Sequence, residues 1–281
     1  MKKRKIILIT LDLVLLAVLI VQIAVSSVDP RKTCLLSERP DEVHIYNNGK
    51  QIDLYSSDNG ETWVIGEHKY PANSVFVQDL IEKFSKLNAI NKVGSVKNEA
   101  SIDRFGLNEF SCISVSAKKG GNVIRSLQIG KSPAGVQQVY ATVDGEKDIY
   151  LIEGNLRNSF DYEEDYLRDK RIYEIPAESI KSVEYTDENG KVFQVPEDKI
   201  SSYAYFTTDT FVVPEDLSQA KKKYSVTINA DKTITMDIYE LLKSENEYTY
   251  IGICSESPYK FSVPSYAIEK FAAKTEETDK K

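Results

Sequence analysis

The sequence predicts an α+β fold: an N-terminal transmembrane helix, then two related units of antiparallel β-sheet built from hairpins and meanders with packed helices, the second unit reduced. Three observations predict it. A long apolar run, Ile6–Val28, follows the basic cluster Lys2-Lys3-Arg4-Lys5. Short segments that alternate apolar and polar residues recur between Asn-Gly, Gly-Gly and Asp-Gly turns, the mark of hairpins. Two blocks of the first half return, worn, in the second.

Within Ile6–Val28, Asp12 is the only charge and Gln22 the only amide. At about 1.5 Å per residue the run reaches roughly 34 Å, enough for a hydrocarbon core of about 30 Å. It exceeds the roughly 7 to 15 residues of a signal-peptide apolar region. Ala24-Val25-Ser26 is only a fair cleavage site, so an uncleaved anchor is preferred over a cleaved signal. The basic end, residues 1–5, then stays in the cytoplasm and the bulk lies extracytoplasmic. Asp12 reads as a tolerated polar residue, with a contact to a partner helix as the alternative. Arg31 and Lys32 before Cys34 speak against lipidation of that cysteine.

After a linker over 29–41, the first unit spans 42–175. Val43 and Ile45, Ile52 and Leu54, Trp63 and Ile65 mark three short strands around Asn48-Gly49 and Asn59-Gly60. The period then changes: Val77, Leu80, Ile81, Phe84 and Leu87 form one helical stripe that Asn73 or Ser74 can cap. Alternation returns around Lys119-Gly120-Gly121 and Asp144-Gly145. A helix follows, with Leu156, Phe160 and Leu167 inward. The second unit, 176–271, repeats the hairpin pattern, Gly190-Lys191 falling on Gly49-Lys50, Tyr250 on Tyr140 and Phe271 on Phe160. The two offsets differ by about the length of the helix-bearing stretch Tyr70–Ala100, which the second unit lacks. The tail 272–281 reads as solvated.

Charge narrows the partners. The chain carries a net −7, of which residues 1–28 contribute +3, leaving −10 on the rest. An acidic surface excludes nucleic acid, which needs a basic face. Gly130-Lys131-Ser132 ends like a phosphate-binding loop, but Arg125 stands at the first glycine position and Gly135 with the β-branched run to Val143 cannot continue a helix, so no nucleotide is expected. Cys34, Cys112 and Cys254 lack metal or redox spacing and read as free, buried thiols.

His44 and His68 have no second ligand at metal spacing and read as surface residues. No Gly-x-Ser-x-Gly elbow is present. Asp161–Asp165 and the tail are charge runs, and Asp187–Gly190 and Asp144–Asp148 are turns rather than calcium loops. No catalytic, cofactor or metal residues are assigned. A carboxylate pair that only geometry reveals stays open as a hydrolase alternative. Tyrosines crowd the middle and end: Tyr140, Tyr150, Tyr162, Tyr166, Tyr173, Tyr185, Tyr203, Tyr205, Tyr224, Tyr248 and Tyr250. They are good strand residues first. A concave patch of them would suit a glycan or peptide.

Four motifs in one order, "WVIGEHKYPANSVFVQDLIEKFSKL", "FGLNE", "LQIGKSPAGVQQVYATVDGEKDIYLI" and "YLRDKRIY", resemble the domain of unknown function 4340 (DUF4340) family. The family pattern has a proline soon after Phe-Gly-Leu where this chain has Asn108-Glu109-Phe110, which leaves that turn open. The resemblance transfers no catalytic residues. It implies a bacterial inner-membrane envelope protein held by Ile6–Val28, with protein partners in ABC-type export or gliding-motility systems. Leu167–Lys170 would then end the helix, with Arg168 as an alternative partner contact. The expectation is a non-enzymatic accessory or scaffold of a membrane transport complex.

Overall fold

The computed structural model describes residues 10–21, 31–67, 69–244 and 247–268. In chain order the strands are β1 (Lys32–Leu35), β2 (Glu42–Asn47), β3 (Lys50–Tyr55), β4 (Val64–Ile65), β5 (Tyr70–Pro71), β6 (Lys86–Ser95), β7 (Ile113–Lys119), β8 (Asn122–Ile129), β9 (Gln138–Val143) and β10 (Asp148–Glu153). They continue with β11 (Arg171–Glu174), β12 (Ser182–Asp187), β13 (Val192–Gln194), β14 (Tyr205–Thr207), β15 (Lys221–Asn229), β16 (Thr233–Ser244), β17 (Glu247–Cys254) and β18 (Phe261–Ser262). Two compact units result: residues 1–69 with 74–162, and residues 70–73 with 163–281.

The chain is mostly antiparallel β-sheet, which corrects the α+β expectation. Helix is shorter than the apolar stripes suggested. The stripe helix ends at Ser85, and Lys86–Ser95 turns at once into β6, where Leu87 and Ala89 point inward at strand spacing. The segment around Leu156, Phe160 and Leu167 is helical only as two four-residue turns, Leu156–Ser159 and Glu164–Leu167, although all three side chains are buried.

The transmembrane helix and signal anchor expected over Ile6–Val28 are also corrected. Residues 10–21 are helical. Among the described residues no helix is long and apolar enough to cross a membrane. The basic end 1–5, the flanks 6–9 and 22–28, His68, Phe271 and the tail 272–281 lie outside the described residues.

In the first unit the sheet runs β1-β6-β10-β9-β8-β7-β2-β3-β4, antiparallel throughout. Lys32–Leu35, within the stretch read as linker, supplies the edge strand β1. The β2–β3 turn places Asn48 and Gly49 at φ 48° and 81°, the left-handed pair that a two-residue hairpin requires. Val77, Leu80, Ile81 and Phe84 of the helix Ser74–Ser85 are buried, and the Phe84 ring lies 6.0 Å from that of Phe160. A second helix, Glu99–Phe105, starts where Asn98 accepts a hydrogen bond from the Ala100 amide and stops at left-handed Gly106. One cation sits in this core: Arg125 is 2% exposed, its Nε 3.5 Å from Asp144.

The second unit holds the sheet β13-β12-β15-β16-β17-β18 and the two-stranded ribbon β11-β14. Its core centres on Val183, Tyr185, Val226, Ile228, Ile234 and Phe261. The turn between β12 and β13 uses Gly190 at φ 81°, as Gly49 does in the first unit. Between this hairpin and β15 stand a seven-residue 3-10 helix, Glu197–Tyr203, and the ribbon strand β14. After β18, residues 265–268 form a helical turn.

Candidate functional site

The second unit contains a concave site of about 140 Å³ lined largely by aromatic side chains. Tyr173 comes from β11, Tyr205, Phe206 and Thr207 from β14, Ser202 and Tyr203 from the end of the 3-10 helix, Met236 from β16, and Tyr266 and Ala267 from the last helical turn. Period-two alternation divides the work along β14. Phe206 faces the core, stacked 6.3 Å from Tyr173 and tilted 5.8 Å from Phe261, while Tyr205 is left 63% exposed. Tyr266 is equally open, so two rings with free outer faces stand at the mouth of an apolar floor.

Electrostatics follow depth. Burial pushes the Tyr173 and Tyr203 hydroxyls well above the ordinary phenol range, so the floor stays neutral at any physiological pH. Nearby, burial raises Tyr185 to about 12. A neutral, apolar floor with amphipathic rings at the rim accepts a ring or a branched side chain.

Of the tyrosines the sequence singled out, the fold gathers Tyr173, Tyr203 and Tyr205 here. It sends Tyr185 and Tyr224 into the core beside Phe193, sets Tyr140 against Phe105, and binds the Tyr150 hydroxyl to Glu146 at 2.8 Å. Tyr266 and Met236 were missed. Only long-range pairing brings them in, so no local pattern marks them.

Arg168 is not at this site. Its guanidinium lies 3.6 Å from the Tyr70 ring, 4.0 Å from that of Phe211 and 5.2 Å from that of Tyr259. The Asn73 amide donates to the Leu167 carbonyl at 2.8 Å and the Asp169 amide to Pro71 at 2.9 Å, so the segment Tyr70–Asn73 is stitched to the second unit around that cation. Desolvation lowers the Arg168 pKa, although the neighbouring carboxylates and phenols oppose it. Arg168 is a brace.

The polar face of the first unit carries a triad-like row that sequence spacing could not reveal. Across β3, β2 and β7, Asp53, His44 and Ser116 stand directly opposite one another. His44 Nδ1 lies 2.7 Å from Asp53 and Nε2 lies 3.1 Å from Glu42. Both ring nitrogens are held by carboxylates, and neither is left to take a proton from Ser116. Glu42 and Asp53 are the acidic pair a hydrolase would want, but an imidazole fills the space between them. Gly130–Ser132 connect β8 to β9, where the Gly130 amide donates to Tyr140 at 2.7 Å and no helix N-terminus follows. Cys112 and Cys254 are buried free thiols; Cys34 is free and only half-buried.

The model of one protein family, described as domain of unknown function (DUF4340), matches residues 63–250, more than half of the chain. The chain belongs to that family. No curated protein and no solved structure matches it. The DUF4340 match takes in β4 through the first half of β17, and so includes every lining residue of the aromatic site except Tyr266 and Ala267.

Proposed function

We propose that this DUF4340 protein is a non-enzymatic accessory that holds a protein partner in the tyrosine-lined pocket of its second unit, and that the partner belongs to an ABC-type transport complex. The pocket carries the reading. Pockets for drug-sized ligands usually measure about 300 Å³ or more, whereas 140 Å³ accommodates one anchoring side chain, as at the centre of a protein interface. Tyrosines at the rim supply large contact area for little lost side-chain freedom. The transport context comes from the family resemblance alone.

A photo-crosslinking residue placed at Tyr205 in cells tests this. The expected outcome is a discrete heavier adduct whose peptides identify a transporter subunit, and which is lost in the Tyr266→Ala background. The same label at Tyr46, on the first unit, should give no such adduct. Recovery of the uncrosslinked monomer from position 205 in mild detergent, under conditions where the protein is abundant, ends the proposal.

A further inference from the structure

We infer that the pocket takes an aromatic side chain presented by a basic segment of the partner, an inference that rests on the accessory reading above. Three observations bear on the occupant. The first is size: a cavity of about 150 Å³ lined by apolar side chains holds one benzene-sized ring, and this one is about 140 Å³.

The second is the first unit itself. There the elements between hairpin and meander include the helix Ser74–Ser85, and the turn after β10 is Leu156–Ser159. They meet through the Phe84 ring, fully buried against Phe160. In the second unit the elements at the same places in the strand order are the 3-10 helix Glu197–Tyr203 and the turn 265–268, and between Tyr203 and Ala267 lies the cavity. At these places in the strand order the first unit carries a buried phenylalanine ring and the second a cavity.

The third is charge. Glu178 on the 3-10 turn Ala177–Ser179, Glu197 and Asp198 at the start of the 3-10 helix whose end lines the pocket, and Asp209 two residues after β14 are all exposed, against Lys199 in the same stretches. Arg171, nearby on β11, is already committed to Asp169 and Glu174. Exposed carboxylates flanking a neutral floor favour lysine or arginine beside the anchoring ring, and mostly through the rate of encounter.

Amide chemical shifts of the full chain, titrated with the capped peptide Lys-Lys-Phe-Lys-Lys, test the inference. Shifts should centre on Tyr203, Phe206 and Ala267, weaken with added salt, and disappear in Ala267→Leu, which fills the cavity. Replacing the peptide's Phe by Ala, or its Lys by Glu, should each weaken binding about tenfold or more. Equal binding by the Ala peptide, or shifts mapping elsewhere, overturns the inference. So does binding that emerges only in Phe271→Ala, since the occupant would then be the chain's own C-terminal ring. Should the Tyr205 crosslink persist while the peptide fails, the accessory reading stands and only the chemistry of the anchor falls.

Discussion

The two units are built on one strand order and finished differently. β3-β2-β7-β8-β9-β10 in the first and β13-β12-β15-β16-β17-β18 in the second are the same hairpin followed by the same meander. The first adds β1, β4 and β6, a twelve-residue helix with four buried apolar side chains, and the short helix Glu99–Phe105. The second replaces the long helix by a seven-residue 3-10 turn. Shared strand order therefore does not require a shared finish: where the helix is present the core closes around Phe84, and where it is reduced a cavity with tyrosine walls is left. A closed core serves stability. An open one has room for something else.

The sharpest way to break this comparison is to empty the filled position. Phe84→Ala should destabilise the first unit by about 3–5 kcal/mol, because a fully buried ring leaves a cavity its neighbours cannot collapse into. Trp63, the single tryptophan, is buried in that unit and reports its unfolding in urea. The converse substitution separates the units again. Ala141→Leu, in the packed first core, should cost about 1–3 kcal/mol, whereas Ala267→Leu, facing the cavity, should cost less than about 1. Equal costs would mean the second unit is as closed as the first.

A smaller effect is expected at the brace. Arg168→Ala removes a cation held between two aromatic faces and the packing of its stem, roughly 2 kcal/mol in a desolvated setting. The change should be local. Hydrogen exchange at the Asn73 and Asp169 amides, which join Tyr70–Asn73 to the second unit, should quicken while the amides of β8 keep their protection. Loss of protection across both units would show that Arg168 supports more than this segment.

Much of this was legible in the sequence, and the failures are specific. The hairpins were, because Asn48-Gly49, Gly120-Gly121 and Asp144-Gly145 adopt the positive φ angles that only a few residues tolerate. β6 was not: Leu87 continues the helical stripe of Val77, Leu80 and Phe84 and also begins an alternating strand, so periodicity could not separate the two. Glu99–Phe105 is too short for a stripe, though Asn98 before it and Gly106 after it were readable start and stop signals. The tyrosines were visible as a composition, but their sorting into pocket and core was not, because Tyr173, Met236 and Tyr266 meet only through long-range pairing. For the same reason the row of Asp53, His44 and Ser116 exists only once three strands are in register.

Acid should act on the second unit through Asp165. Desolvation works to raise its pKa, but the Lys170 ammonium at 2.5 Å and the Phe211 amide at 3.0 Å outweigh it, so the carboxyl sits below its ordinary value of 3.8. A depressed folded-state pKa stabilises above the unfolded value, and that contribution is lost as pH falls through the folded one. Stability of the second unit should therefore decline as pH drops below about 4, and Asp165→Asn should flatten the decline while lowering stability at neutral pH. A variant with the wild-type slope would assign the acid sensitivity to other carboxylates.

The finest comparison is between two glycines. Gly49 and Gly190 lie in the connections of the corresponding hairpins, the first of two residues and the second of four, both at φ 81°, and a Cβ added at either would meet nothing within 4 Å. Crowding therefore cannot distinguish them, and only backbone strain remains. Gly→Ala at each should cost about 1 kcal/mol, the price of a left-handed conformation for a residue with a Cβ. If the hairpins are the same element, the two costs should agree within about half a kcal/mol, the limit for independent sites. Urea midpoints read by Trp63 for the first unit, and by hydrogen exchange in β12 for the second, provide the pair of numbers. A large cost at one glycine and none at the other would mean that only one of the two turns is needed to set the register of its sheet, and the likeness between the units would then be one of strand order without shared turn energetics.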